Sequence, residues 1–370
     1  MSKIEDLIKQ YCPNGVEWKK LGDVEQLGWI ELGRGQVLSK SYIQDNPGNF
    51  PVFSSAATNN GVIGRCNTYM FTDSRITWSI DGGGKFFYRN DSYYSVTNVC
   101  GWLRVNDFSV LNLRYLYFAL MNEWSKKTFD YVHKAHPSVI REEYIIPIPH
   151  IAVQEEIVRI LDKFTELEKE LEKELELRRK QYEFYRDKLL TFGDDVERKR
   201  LGDVTNVCRG KRVVKRELSD SVGHPVYQNS LSILGYYMDS NYPANTSFVI
   251  GAGAAGEIGY SLTDFWAADD CFPIICKGTL LDRFVFYFLM QNQAVLKSKV
   301  RKASIPRLSR DEIENLIISI PSPTEQERIV KILDKFDTLT TSLTSGLPAE
   351  IKLRKQQYEY YRDYLFGLLK

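Results

Sequence analysis

The sequence predicts a mixed α/β (α+β) fold in which two globular units of pseudo-twofold symmetry are separated by two long antiparallel helices, an intramolecular coiled coil. Three observations indicate it. A helical pattern without Pro or Gly runs from Gln154 to Phe192. Its opening, QEEIVRILDKF, recurs at Gln326 as QERIVKILDKF. A strand-rich segment precedes each copy. Such a repeat predicts one structural unit that occurs twice.

Apolar residues of the helical pattern recur at steps of three and four, which is the period of one helix stripe close to a heptad seam. A helix from Gln154 to Phe192 would span roughly 57 Å at about 1.5 Å per residue. A helix of that length needs a partner that covers its stripe, and we expect the second copy to be the partner. The predicted core of the helix pair is Ile157, Ile160, Phe164, Leu167 and Leu171 with Ile329, Ile332, Phe336, Leu339 and Leu343.

The second copy differs from the first in length. The stretch KQQYEYYRDYLF lies four residues further from the start of its copy than RKQYEFYRDKLL does in the first. Gly346 and Pro348 lie in between and predict a break into two helices, with Pro348 near the first turn of the second.

The repeat extends beyond the helices, since VEWKKLGDV at Val16 returns as VERKRLGDV at Val196. The predicted division is residues 1–15, an N-terminal helix and lead-in; 16–150, the first globular unit; 151–193, the first spacer helix; 194–323, the second globular unit; and 324–370, the second spacer helix, broken near 346–348.

Both globular units show short aromatic and β-branched runs that predict strands and turns. Asp81–Gly84 (DGGG) predicts a hairpin turn. Helices are predicted at 111–122 and 282–290. Gly251–Gly256 fits the dinucleotide pattern G-x-G-x-x-G, but strand-like residues and another Gly follow it, which favours a hairpin. A nucleotide-binding enzyme that uses this turn stays open as an alternative.

Composition excludes several classes. The net charge of the 370 residues is +1, so any affinity for nucleic acid must come from local clusters. Six cysteines without a CxxC pair, and histidines without metal spacing, predict free thiols, no metal site and a reducing cytoplasm. No apolar run reaches the roughly 18 residues of a membrane span. Walker A and HExxH motifs are absent from the sequence, which argues against catalysis.

Clusters of Lys and Arg predict contacts with the phosphates of a nucleic acid, because each such contact releases a counterion. The second globular unit carries two dense clusters and the first a looser set. The candidate DNA-binding residues are Arg209, Lys211, Arg212, Lys215, Arg216, Lys297, Lys299, Arg301 and Lys302 in the second unit, and Arg65, Arg75, Lys85, Lys126, Lys127 and Lys134 in the first.

The first helix contains a tandem LEKE tetrad from Leu167 to Leu175. Exposed Glu–Lys pairs of this kind stabilise a solvated helix. One tetrad also adds about 6 Å of helix, which corresponds to about two base pairs of DNA at 3.4 Å each. A helix that separates two DNA readers would therefore set the gap between the bases that they read.

The motifs CPNGVEWKKLGDV, IPIPHIAVQEEIVRILDKFTEL and KQYEFYRDKLLTF, with their second copies, resemble the specificity (S) subunit of type I restriction–modification systems. The resemblance implies two target-recognition domains, each reading half of a bipartite site in double-stranded DNA, and spacer helices that dock two methyltransferase (M) subunits. Restriction (R) subunits would join that complex. It implies no catalysis and no cofactor in this chain, with S-adenosylmethionine and ATP on the partners. A coiled-coil adaptor without a DNA role is the other alternative.

Overall fold

A computed structural model of the chain describes residues 3–55, 59–90, 93–130 and 132–370. The chain forms two compact units. Unit 1 consists of Met1–Glu170 and Lys352–Lys370, and unit 2 consists of Leu171–Ile351.

Unit 1 combines mainly antiparallel sheets with helices. Its strands are β1 Glu17–Lys20, β2 Ile30–Arg34, β3 Pro47–Phe53, β4 Val62–Cys66, β5 Arg75–Ser79, β6 Phe86–Arg89, β7 Ser95–Val96, β8 Cys100–Val105 and β9 Ile145–Ile148. Its helices are α1 Lys3–Tyr11, α2 Leu21–Gln26, α3 Lys40–Asp45, α4 Leu113–Trp124, α5 Pro137–Glu143 and the first part of α6, Ile151–Leu189.

Unit 2 has the same kinds of element. Its strands are β10 Arg198–Arg200, β11 Thr205–Val207, β12 His224–Tyr227, β13 Tyr236–Tyr237, β14 Thr246–Ile250, β15 Ile258–Ser261, β16 Trp266–Ala267, β17 Cys271–Cys276 and β18 Ile317–Ser319. Its helices are α7 Leu201–Val204, α8 Asp282–Gln291, α9 Gln293–Ser298, α10 Arg310–Glu314 and α11 Pro323–Thr341, followed by α12 Leu347–Gly367, most of which belongs to unit 1.

The two units share one sheet topology. A four-stranded antiparallel sheet has the order β2-β8-β5-β6 in unit 1 and β11-β17-β14-β15 in unit 2. A three-stranded sheet follows as β4-β3-β7 and β13-β12-β16, each with one parallel pairing. The pairs β1-β9 and β10-β18 complete the match. The duplication therefore includes the globular parts, where the two halves have little sequence in common.

Both predicted glycine-rich hairpins are confirmed. Strands β5 and β6 pair across the DGGG turn, and β14 and β15 pair across Gly251–Gly256. Gly83 and Gly256 have φ of +85° and +84°, which side chains other than Gly rarely adopt. Because a strand and not a helix follows Gly256, no helix N-terminus is available for a pyrophosphate, and the dinucleotide alternative is not favoured.

The long helix is one uninterrupted element. It covers Ile151–Leu189, three residues earlier at each end than the pattern predicts. The break in the second copy is confirmed, since α11 ends at Thr341 and α12 begins at Leu347. A Cβ atom on Gly346 would lie 2.3 Å from the Thr338 carbonyl oxygen, so the turn between these helices requires Gly there.

The buried stripe of the helices departs from the predicted one. Ile157 and Ile329 are fully buried, but Leu167 is 43% exposed and Leu343 is 75% exposed, so the last two are not core residues. Leu343 follows the end of α11, and no helix directs its side chain. A 3.6-residue helix drifts away from a 3.5-residue pattern, so Leu161 and Leu333 are buried instead.

Helix α12 packs antiparallel on α6 within unit 1. The rings of Phe164 and Tyr361 stack with centroids 5.1 Å apart. Further along, Glu168 lies 3.2 Å from Lys355, so the partner residue number falls as the α6 number rises. In unit 2, Tyr182 and Tyr185 of α6 contact Phe336 of α11. None of the described helices is long and apolar enough to cross a membrane.

Candidate nucleic-acid interface

The first basic run of unit 2 lies in the loop after β11. Arg209, Lys211, Arg212, Lys215 and Arg216 are all exposed. The loop is fixed on the neighbouring sheet through its backbone, where the Lys211 N–H donates to the Ala267 carbonyl at 2.9 Å. The Lys211 carbonyl accepts from the Trp266 indole N–H at 2.8 Å. An anchored backbone with exposed cationic side chains suits contact with an extended polyanion.

The second basic cluster is joined to the same region through the glycine-rich turn. Lys297, Lys299, Arg301 and Lys302 are exposed. The Gly251 N–H donates to the Asp270 carbonyl at 2.7 Å, and the adjacent Cys271 carbonyl accepts from the Gly210 N–H within the first basic run. On its other side, the Gly251 carbonyl accepts from the Leu308 N–H at 2.8 Å, in the loop that also pairs with Arg301. The hairpin therefore links two clusters that are far apart in sequence.

The two basic clusters of unit 2 have no carboxylate partners in the part of the chain that the structure describes. Among described residues, no carboxylate lies within 4.0 Å of a side-chain nitrogen of Arg209, Lys211, Arg212, Lys215 or Arg216, nor of Lys297, Lys299, Arg301 or Lys302. The charges are therefore available to an external anion.

Arg75 is a correction to the predicted set. Its side chain is buried, with 7% of the residue exposed. The guanidinium lies 3.7 Å from the centroid of Phe71 and 4.6 Å from that of Trp102, and its Nε donates to Asp73 at 2.8 Å. Such stacking and pairing stabilise the protein interior, so Arg75 cannot meet a phosphate. The amino-acid sequence around Arg75 could not distinguish a buried arginine from an exposed one.

The lysines of unit 1 are mostly paired. Lys126 lies 2.5 Å from Glu123, Lys134 lies 2.9 Å from Asp81, and Lys127 lies 3.9 Å from Glu143. Of the other predicted residues in this unit, Arg65 and Lys85 are exposed, and Arg65 donates to the Asn49 carbonyl at 2.6 Å. Among the predicted residues, unit 1 therefore presents fewer unpaired positive charges than unit 2 within the described ranges.

Sequence reasoning missed a pair of glutamines that fix the long helices to the globular parts. Gln154 and Gln326 are fully buried. The Gln154 amide accepts from the Asn112 N–H at 2.9 Å and donates to the Pro149 carbonyl at 2.8 Å. Gln326 does the same with Leu281 and Pro321, at 2.9 and 3.0 Å. The signal was present, because in both copies of the repeat a Gln stands five positions after the Pro of an Ile-Pro pair.

Two arginines that sequence reasoning also missed connect α4 and α8 with the long helices. Arg114 contacts Asp162, and Arg283 contacts Asp334 and Asp337 at 2.7 Å each. The Tyr287 hydroxyl donates to Asp334 at 2.5 Å. Burial raises the pKa of Tyr287 well above its ordinary value, and the bond to Asp334 raises it further. These contacts are structural, since each joins two partly covered side chains of one unit.

The described residues contain no group of three or more His, Cys, Asp and Glu side chains that could hold a metal ion.

Two units of one topology, each built around part of a single long helix and carrying different loops, define a tandem-repeat protein with a basic surface on its second unit. The family model described as type I restriction modification DNA specificity domain matches residues 13–177 and again residues 193–353. The chain therefore belongs to this family. The resemblance stated from the sequence motifs is thereby confirmed.

Individual relatives agree with this assignment. A putative type I specificity subunit of Mycoplasma pneumoniae is 31% identical over 353 residues, which cover 91% of this chain and 94% of the relative. The specificity subunit of an Escherichia coli type I restriction enzyme is 32% identical over 289 residues, which cover 70% of this chain and 71% of the relative. The crystal structure of the S subunit of a type I system from M. genitalium has 19% identity and a TM-score of 0.60, with 96% of both chains covered. At that identity the structural likeness shows the fold alone.

Proposed function

We propose that this chain is the DNA-recognition subunit of a type I restriction–modification complex and that each unit reads one half of a bipartite site in double-stranded DNA. The observation that carries the proposal is the pair of exposed basic clusters in unit 2, for which the described residues supply no carboxylate partner and which the backbone of the glycine-rich hairpin connects. The shared topology supports it further, because two frames of one design with different loops suit two different half-sites.

In this mechanism the basic residues contact phosphates, which fixes the register of each unit on the duplex, and side chains in the turns read base edges. Helix α6 sets the distance between half-sites, since it is uninterrupted over 39 residues. The chain itself performs no catalysis. S-adenosylmethionine and ATP act on partner subunits, in a cytoplasm whose reducing conditions suit the six free cysteines.

We also propose that the helices dock two methyltransferase subunits, which restriction subunits then join. Two equivalent positions support this. Leu177 and its repeat counterpart Leu353 are 52% and 64% exposed, and Phe184 and Tyr360 are 61% and 66% exposed. Large apolar side chains exposed at the same places in both copies fit two copies of one partner.

Native mass spectrometry of the complex tests the docking. Phe184→Ser and Tyr360→Ser should each remove one methyltransferase subunit, and the double variant should remove both. Lys180→Ser, on the same helix but in an ion pair with Glu176, is the control. Retention of both subunits by the double variant contradicts the docking surface.

The DNA role is tested with the complex and a labelled 40-base-pair duplex of random sequence. Replacing Arg212, Lys215 and Arg216 together by Gln should lower the slope of log K against log salt by up to about 2.7, since each lost phosphate contact contributes about 0.9. The matched control removes the same charge at Lys126, Lys127 and Lys134, which are already paired with carboxylates. Weak, salt-independent binding by the unaltered complex would favour the adaptor alternative instead.

A further inference from the structure

Each unit contains an Arg-Gly pair at the same point of the topology. Arg34 ends β2 and precedes Gly35, and Arg209 follows β11 and precedes Gly210. Strands β2 and β11 are the matching edge strands of the four-stranded sheets. The pairs lie in segments that otherwise differ between the units, so they stand out as a retained feature.

The glycine is required at both corners. Gly35 and Gly210 each donate a backbone N–H, at 3.0 Å, to the carbonyl of a matching cysteine, Cys100 or Cys271. A Cβ atom on Gly35 would lie 2.3 Å from the Val96 carbonyl oxygen. A Cβ atom on Gly210 would lie 2.0 Å from the Ala268 carbonyl oxygen. Any side chain at these positions would push the loop away from the sheet.

The arginine is oriented in the same way at both corners. Arg209 Nε donates to the Asp269 carbonyl at 3.2 Å, and Arg34 Nε donates to the Asn98 carbonyl, in the matching turn. The carbonyl of each arginine accepts from an aromatic side chain: the Trp102 indole N–H at 3.1 Å for Arg34, and the Tyr242 hydroxyl at 3.4 Å for Arg209. Both corners are thus fixed at the backbone and at Nε.

The terminal nitrogens of both guanidinium groups remain available. Arg34 and Arg209 are exposed, and across the described ranges neither has a carboxylate within ion-pair distance or a hydrogen bond from Nη1 or Nη2. A guanidinium that is held through Nε presents its outer edge in a preset direction. That edge matches the geometry of a phosphate oxyanion better than an ammonium does.

We propose that the Arg34–Gly35 and Arg209–Gly210 corners are matched contacts to DNA phosphodiester groups, one in each unit. The inference rests on the proposed DNA-reading function and adds the register contact that both units share. A feature that two otherwise different readers have in common suits the part of DNA that is the same in every sequence, which is its backbone. In unit 2 the corner leads into the basic run from Lys211 to Arg216, whereas few basic residues follow the corner in unit 1. Arg34 should therefore supply a larger share of the phosphate contacts of unit 1 than Arg209 supplies in unit 2.

Binding of the complex to the random 40-base-pair duplex, measured over a range of salt concentrations, tests the proposal. Arg34→Gln and Arg209→Gln should each lower the salt slope by about 0.9, and the double variant by about 1.8. Gly35→Ala and Gly210→Ala should lower the slope although the net charge is unchanged, because the added methyl displaces the loop. Arg328→Gln, which removes an equal charge from an exposed pair with Glu325 on α11, should leave the slope unchanged.

Arg34→Lys and Arg209→Lys provide a second test that does not depend on loss of charge. They should keep the salt slope and weaken binding several-fold, since an ammonium lacks the Nε tether and the planar edge. Circular dichroism and the melting temperature establish that each variant is folded.

The experiment distinguishes a failure of the corner contacts from a failure of the DNA-recognition function. A wild-type slope in the Arg34/Arg209 double Gln variant, together with a reduced slope in the Arg212/Lys215/Arg216 variant, would overturn the corner contacts and leave DNA recognition in place. Absence of salt-dependent binding by the wild-type complex would overturn the DNA role itself.

Discussion

Arg283 Nε lies 2.7 Å from Asp334 Oδ1, and this contact ties helix α8 of unit 2 to the long helix α11. The guanidinium also lies within 4.9 Å of the centroids of three aromatic rings. Burial alone would lower the pKa of Arg283, but Tyr287 and the two carboxylates raise it above its ordinary value. Arg114 and Asp162 repeat the contact in unit 1 at 2.8 Å. The same connection therefore fixes the long helices in both copies.

Arg283→Leu should destabilise unit 2 by about 1–3 kcal/mol, because it leaves Asp334 without its charged hydrogen-bond partner. Urea unfolding of the full chain measures the change. Arg328→Leu, which breaks an exposed pair with Glu325 on the same helix, should cost about 0.5 kcal/mol or less. Equal effects of the two variants would mean that the Arg283 contact is no more than a surface pair.

Gln326→Ala should destabilise unit 2 by about 1–3 kcal/mol, since it leaves the Leu281 N–H and the Pro321 carbonyl without partners in a buried position. Gln154→Ala should have the same effect in unit 1. Amide hydrogen exchange at Leu281 measures the effect directly and should be slower in wild type than in the Gln326 variant. An unchanged exchange rate at Leu281 would contradict the role of the glutamine.

Glu156 predicts a loss of stability in acid. Its carboxylate accepts hydrogen bonds from Arg159 and lies 2.8 Å from Lys3 of α1; these contacts lower its pKa from 4.5 to about 2, against the effect of burial. A carboxyl group whose pKa is lower in the folded state stabilises the fold above pH 4.5, and this contribution disappears as the pH falls towards 2. Melting temperatures between pH 2 and about 6 should therefore fall less steeply for Glu156→Gln than for wild type. Glu155→Gln, at the adjacent exposed position, should follow the wild-type curve.

Insertion of Glu-Lys-Glu-Leu after Leu175 should lengthen the unread gap between the half-sites. Four residues add about 6 Å of helix, or about two base pairs at 3.4 Å each, and both half-sites should stay the same. Methylome sequencing of a host that expresses the variant with its methyltransferase reads the gap directly. Glu172→Gln with Glu176→Gln changes the charge of this segment at constant length and should leave the gap unaltered; an unchanged gap after the insertion rules out a spacing role.

The long helix, the break at Gly346 and both hairpins were predicted because each depends on local features: a helical period, a Gly and a Pro close together, or a glycine-rich turn. The stripe was predicted less well. Leu167 is exposed although its spacing suits a core position, since the pattern specifies a period and not which face of the helix the partner covers. Charge runs had the same weakness, as the buried Arg75 demonstrates.

By itself the sequence determined that one unit occurs twice, where its long helices lie and which family's motifs it carries, because repeats and periodicity are properties of neighbouring residues. Tertiary structure alone decided that the two globular parts share one sheet order and that Arg209 and Arg34 occupy matching corners. It also decided that backbone hydrogen bonds of Gly251 connect the segments that carry the two basic clusters. The physical reason is that strand pairing brings together residues far apart in the chain through backbone hydrogen bonds. These bonds depend little on which side chains the paired residues carry, so the sequence does not reveal the pairing.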